Sequence, residues 1–565
     1  LKHSYLIPIF LAPFKATTFK ALGFIASTLA FLPLLSSCGS DRLPTVAPEQ
    51  RTVVSNELIT NLEAPIPTQC YTKTENRHNP CYTCHQIYDR SKGDVRMNQL
   101  DDGGLQGGYL FSDEGLNNHW KNLFVDRSEW LEKVSDEDIQ TYVNTENYSQ
   151  LSKNLNTRNW KGFIPDLQNY DKAALAFDAQ GFAKDGSHWV AFNYKPFPGT
   201  FWPTNGSTDD VVIRLPKAFR ELNGQYNRDI YLLNLSLVEL NIKNLISIAI
   251  AERNETNLGF DIDGDGSLTK ATSLKKQEFY MGDARTIKMA AQQYPEETEL
   301  MHSVRYVGSD DKGNIFVPAR MKELRHMKKI RVLEPYDLES RYARERKEKT
   351  LEQLPNYNDH GELGMENGLG WMLQAYIEDY DGELRPQTHE ERFNCMGCHA
   401  AIGATIDQTF ALARKVTGEK GWGYINLKGM QDAPSVSESG GEILHYLQRS
   451  GGGSEFRENP EMLVRWFKQN GLVDEVKVKA ADVYQLITPS KERALKLNKA
   501  YTHIVRNQSY IYGRDATWLP ANNVFKTIDE SEPPLTAEFR FYDWDIRLNW
   551  ETNKIGSFAL KTSTK

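Results

Sequence analysis

The residues best suited to chemistry are two short runs, Cys81-Tyr82-Thr83-Cys84-His85 and Cys395-Met396-Gly397-Cys398-His399. Each places a histidine directly after a pair of cysteines spaced three apart. Three chemistries compete for such a unit. Two Cys pairs could close one four-sulfur zinc site, or each could work as a dithiol that cycles with its disulfide. Alternatively, each could bind a haem covalently, two sulfurs meeting two vinyl groups on one porphyrin edge and the imidazole turning to the iron. Zinc and dithiol sites have no use for a histidine in the fifth place, whereas haem attachment requires one there. The unit occurs twice, so the reading is two covalent c-type haems held by Cys81, Cys84, Cys395 and Cys398, with His85 and His399 as proximal iron ligands.

A proximal histidine leaves one axial position on each iron, and what fills it sets the function. Met430 lies in a Gly- and Pro-flanked loop 31 residues beyond His399. His302 shares one face of an extended segment with Leu300, Val304 and Tyr306. These two are the candidate distal ligands. Cys70 reads as a small buried residue with no evident partner. A third chemical signal is "GFDIDGDGSL" at 259–268, where Asp261, Asp263 and Asp265 alternate and Gly266 permits a sharp turn. Carboxylates folded inward suit a hard cation, and calcium is the expected one. The loop is similar to the first half of an EF-hand loop but carries Thr272 where that motif has its bidentate glutamate.

The beginning of the chain has the order of an export signal. Lys2, Lys15 and Lys20 precede the apolar run "ALGFIASTLAFLPLL", too short and interrupted to span a bilayer. Leu35-Ser36-Ser37-Cys38 resembles the bacterial lipobox, which implies lipidation at Cys38 and a membrane anchor. In that family the residue after the cysteine influences sorting, and Gly39 lacks the inner-membrane retention signal, which implies the outer membrane. Export agrees with the haem reading, because c-type haem is attached outside the cytoplasm. The two C-x-x-C-H units themselves resemble those of the c-type cytochromes. That resemblance covers only their short neighbourhoods, and 310 residues separate Cys84 from Cys395.

The elements that must position these groups are less sharply marked. The chain is 40% hydrophobic and 25% charged, ordinary for a folded protein. Its net charge of −8 argues against nucleic acid as a partner. The organisation expected is a signal peptide at 1–37 and a tether at 38–68 broken by prolines. A first haem region with a β-containing insert follows at 69–250, then a connecting region at 251–361 with the calcium loop and a basic run, and a second, helical haem region at 362–565. The fold class is accordingly mainly α, with cytochrome c-like haem regions, within a multidomain α+β chain. The basic residues at 320–348 read as a solvated helix face, or as a patch that steers an acidic partner or neutralises haem propionates. Ser135 and Ser490 are placed to cap helices, Asn459-Pro460-Glu461 to start one that Asn470-Gly471 ends, and "EFRFYDWDIRLNW" to form an edge strand.

The function these features imply is electron transfer to redox partner proteins by a lipid-anchored, di-haem protein at the periplasmic or cell surface. A di-haem peroxidase or oxidase with one open iron is the alternative, favoured by chain length and by the calcium loops of that family. It is disfavoured by the motif separation and by the absence of a matching peroxidase motif. A ligand-sensing or structural surface protein is the third class.

Overall fold

The central element is an antiparallel sheet of eight strands: β1 (Val190–Ala191), β2 (Thr208–Arg214), β3 (Glu299–Arg305), β4 (Met321–Lys329), β5 (Asn358–Asp359), β6 (Met365–Glu366), β7 (Trp371–Glu378) and β8 (Leu384–Pro386). They are ordered β1-β2-β3-β4-β7-β6-β5, with β8 also paired to β7. The structure is a computed structural model. It describes residues 43–52, 60–62, 64–85, 111, 113–351, 357–399, 409, 411–436, 438–451, 459–531, 535–542 and 544–550. The export signal and Cys38 lie outside the described residues.

Register divides the sheet into two faces. Asp209, Val304, Glu323 and Ile377 are cross-strand neighbours on one face, as are Val211, His302, Arg325 and Ala375. The opposite face carries Val212, Met301, Leu324 and Tyr376, packed with Tyr170 and Trp189 in a separate core cluster. A β-bulge in β4 between Met321 and Glu323 leaves Lys322 unmatched by β3. The extra residue re-aims the strand, so that Lys322, Glu323 and Arg325 all reach the same cavity.

This sheet overturns the expectation of a mainly α, cytochrome c-like fold. It draws its strands from residues 190–386, across the insert, the connecting region and the start of the second haem region. The reason is physical. Strands buried on both faces lack the apolar/polar alternation by which a half-exposed strand is recognised. In β4 the charged residues themselves are inside: Lys322, Glu323, His326 and Lys329 are all buried. The first part of the basic run is therefore a core strand and not a helix face. Arg320 at its start is buried too, donating to Glu378 Oε1 at 2.8 Å. Only 335–350 of that run is helical.

Helices pack around the sheet, among them α1 (Ser128–Lys133), α2 (Asp136–Asn144), α3 (Arg228–Lys243), α4 (Glu442–Ser450) and α5 (Lys491–Asn507). Ser135 accepts from Asp138 N at 3.0 Å and Ser490 from Arg493 N at 3.2 Å, each satisfying one amide at a helix start. Helix α5 buries Ala494, Leu497, Tyr501 and Ile504, one stripe at helical spacing. Helix α3 is buried on all sides, and its Glu239 is neutralised by Lys243 and Lys415, each at 2.7 Å.

Two local expectations fail. The helix begun at Pro460 ends at Trp466, because Phe467 pairs with Val473 and turns the chain before Asn470-Gly471. The described tail forms a 3₁₀ turn at Ala537–Phe539 and isolated bridges, Ser435 to Leu548 among them, in place of an edge strand. Residues from Leu43 onward form one compact unit. Its first described segment is docked: Leu43 is buried beside Trp130, Ile139 and Tyr501. Thr52 N donates to Asn507 O at 2.8 Å, and the Arg51 guanidinium lies 3.7 Å from the Tyr380 ring centre.

Candidate haem-attachment site

The second C-x-x-C-H unit follows a short helix, His389–Phe393, whose start is fixed by a reciprocal cap between Thr388 and Glu391. The unit winds into one helical turn, His399 N donating to Cys395 O at 3.0 Å. The Asn367 amide holds the His399 carbonyl at 2.8 Å. One turn puts both sulfurs on the same side as the histidine, the arrangement that attachment to one porphyrin edge needs.

This turn lines a cavity of about 150 Å³ that also receives Gln69, Phe201, Asn205, Lys322, Glu323, Arg325, Tyr501 and Arg514. Burial would raise the Glu323 carboxyl, yet the Arg325 and Arg514 guanidinium groups outweigh it and hold the group down at about 2. Arg514 Nη1 reaches Glu323 at 2.7 Å and Arg325 Nε at 3.0 Å. Three other donors on the wall, Gln69 Nε2, Asn205 Nδ2 and Arg514 Nε, are buried and find no acceptor among the described residues. A group entering the cavity with acceptor atoms would satisfy them. Burial, then Arg325 and His302, keep the His399 imidazole down at about 3, so it is neutral, the state in which it can ligate a metal.

His302 is the one sequence-selected distal candidate that the fold brings near this site. It stands on β3 opposite Arg325, close enough to His399 to influence it, with its ring edge-on to Phe201 at 5.1 Å. Its Nε2 is buried and makes no hydrogen bond among the described residues; the Asp209 carboxylate, 3.4 Å away, is out of line for one. Met430 is buried in the main core, its carbonyl accepting from Val483 N at 2.8 Å, and does not line the cavity. His389 is paired with Asp359 and stacked on Phe393.

The first unit is built alike. Asn79 caps a 3₁₀ turn, Pro80–Thr83, with Pro80 in its first position. His85 N donates to Cys81 O at 2.9 Å. Buried Asn79 then ties the turn to distant chain, its N–H donating to Arg449 O on α4 at 2.7 Å and its Nδ2 to Phe539 O at 2.8 Å. Tyr82 is buried between Tyr542 and Trp544, and Trp544 Nε1 donates to His85 O at 3.1 Å.

Sequence reasoning missed Cys70, which reads there as mere packing. Burial pushes its thiol far above the ordinary range, and the neighbouring Cys81 and Cys398 push it further. It lies within electrostatic range of one cysteine of each unit. It also missed Glu255 in the acidic loop. Oxygens of Glu255, Asp261 and Asp263 lie within 4.8 Å of one another, whereas Asp265 is not in the group. Glu255 is buried and accepts from Ile262 N at 2.6 Å and Thr269 N at 2.9 Å, stapling a loop whose ends belong to the paired strands Ser247–Asn254 and Lys270–Lys275. A carboxylate six residues ahead of the Asp run gave no motif by which to find it.

Comparison with known proteins adds kinship. Residues 53–484 match a lipoprotein family. Over 545 residues the chain is 31% identical to a protein named "Uncharacterized lipoprotein" from Aquifex aeolicus (strain VF5), covering 86% of this chain and 90% of that one. No solved structure matches. No helix among the described residues is long and apolar enough to cross a membrane. This chain belongs to that lipoprotein family, and with it to proteins held at the cell envelope by lipid.

Proposed function

We propose that this lipoprotein is anchored through Cys38, carries two covalent c-type haems, and passes electrons between redox partner proteins at the periplasmic or outer-membrane surface. The observation that carries the reading is the pair of C-x-x-C-H turns, alike in backbone hydrogen bonding though they arise in different parts of the fold. Bound there, each haem would supply an iron that cycles between ferrous and ferric states. The chain's own residues do the rest. Cys81, Cys84, Cys395 and Cys398 would fix the two groups, His85 and His399 would ligate the irons, and His302 stands near the second site as its candidate distal ligand. Propionates would bring the acceptors that Asn205 Nδ2 and Arg514 Nε lack. Half-buried Arg325, lining the same cavity, gives it the positive charge a carboxylate seeks.

The cavity beside His399 favours a second reading, an enzyme of the di-haem peroxidase or oxidase type in which one iron stays open to a small oxidant. Glu255, Asp261 and Asp263 would bind calcium and stiffen their hairpin. The deciding experiment is haem determination on the purified full-length lipoprotein, by alkaline pyridine spectrum and intact mass, followed by low-temperature EPR when oxidised. Two covalent haems, both low-spin, support the electron carrier. A high-spin signal from one turns the reading to the enzyme, and no covalent haem ends both.

A further inference from the structure

The two C-x-x-C-H turns are far apart in sequence, yet one stretch of chain, 65–71, packs against both. On one side it meets the second turn backbone to backbone at Gly397. A Cβ added at Gly397 would lie 2.2 Å from the Pro65 carbonyl oxygen, so only glycine lets the two backbones approach this closely. Pro65, Pro67, Thr68 and Gln69 share one cavity wall with Cys395, Cys398 and His399. On the other side the 3₁₀ turn Thr68–Tyr71 packs directly on the first unit's turn, Pro80–Thr83. Cys70 lies in that 3₁₀ turn and feels Cys81 and Cys398 at once. The stretch is also pinned in place. Trp120 Nε1 donates to Ile66 O at 3.0 Å, Thr68 Oγ1 to Asp515 Oδ2 at 3.2 Å, and Phe525 N to Tyr71 O at 2.8 Å.

We infer that the 65–71 stretch is a shared wall, one chain thick, that brings the attachment edges of both haems together so that an electron passes directly between them. This rests on the di-haem reading above. The exchange is a single-electron step: one iron goes from ferrous to ferric as the other goes from ferric to ferrous, with no bond made or broken and no proton moved. The backbone contact at Gly397 leaves no room for water between the two segments there, which leaves little to reorganise when charge crosses. The arrangement explains why motifs so distant in sequence converge, where two independent carriers would need no common wall.

The test uses the full-length lipoprotein in nanodiscs, reduced stepwise under potentiometric control and frozen at each step for EPR. A ferric haem relaxes faster when a second paramagnetic iron is close. The microwave power that half-saturates the remaining ferric signal is therefore expected to fall several-fold once the other haem is reduced. An unchanged saturation power with two covalent haems present overturns the shared wall and leaves the di-haem reading standing. An alkaline pyridine spectrum of the same sample showing no covalent haem overturns both.

Discussion

At the scale of the residue, the second site joins groups that are costly to bury and that compensate one another. Glu323, Arg325 and Arg514 are charged and desolvated, and they are tolerable because they pair. The double change Cys395→Ser with Cys398→Ser is expected to lower covalent haem from two per chain to one, read from the pyridine spectrum against protein mass. His302→Ala should alter the EPR signal of the second haem alone, while Met430→Leu, a volume-conserving change in a core, should leave both signals as they are. A pH prediction concerns Glu299 on β3, which accepts from Arg214 Nε at 2.7 Å and meets His326 Nε2 at 3.1 Å. Burial raises its carboxyl, but the hydrogen bonds from His326 and Arg214 win and hold it at about 2, against 4.5 for the ordinary group. Its folded value is depressed, so its stabilisation is complete above the ordinary value and is lost as pH falls through the folded one. Glu299→Gln should therefore remove on the order of 3 kcal/mol at neutral pH and flatten the acid limb of urea-denaturation midpoints measured down to about pH 2.

At the scale of the element, the acidic hairpin separates a sequence reading from a structural one. If the site holds calcium, adding it to chelator-treated protein should raise the thermal midpoint, by about 3 kcal/mol of stabilisation at a hundredfold excess over the dissociation constant. Glu255→Gln should abolish that response, and Asp265→Asn should preserve it, since the latter's carboxylate stands outside the group. The bulge in β4 is a second element-level device. One unmatched residue lets Lys322 reach the wall that Glu323 and Arg325 line, which strict alternation would forbid.

At the scale of the whole molecule, distant segments converge on both attachment turns. The first is closed by α4 and by residues 539–544, the second by β3, β4, the 65–71 stretch and residues 513–516. Each site is therefore finished only when the unit as a whole is folded. The first described segment takes part in that closure. Leu43→Ala, at a position buried among α1, α2 and α5, should cost about 2–5 kcal/mol, measurable as a lower urea midpoint. A segment free in solvent would show no such loss.

Some of this protein is legible without a fold, for reasons that are local. C-x-x-C-H is a contiguous unit whose geometry follows from one turn of chain, so the two cysteine–histidine turns proposed to hold haem can be named from spacing alone. The lipobox-like run, the Ser135 and Ser490 caps and the stripe of α5 are equally local, because each is settled within a few residues of itself. The central sheet is not local. Its strands are charged yet buried, and their polar groups are satisfied by partners on other segments, from 27 residues away (His326 to Glu299) to 191 (Glu323 to Arg514), so no window of sequence shows that they are core. Nor does sequence reveal that Glu255 joins Asp261, that His302 rather than Met430 approaches the second site, or that Cys70 comes near a cysteine of each turn. Those are relations between segments, and only the closing of the tertiary structure sets the distances on which they depend.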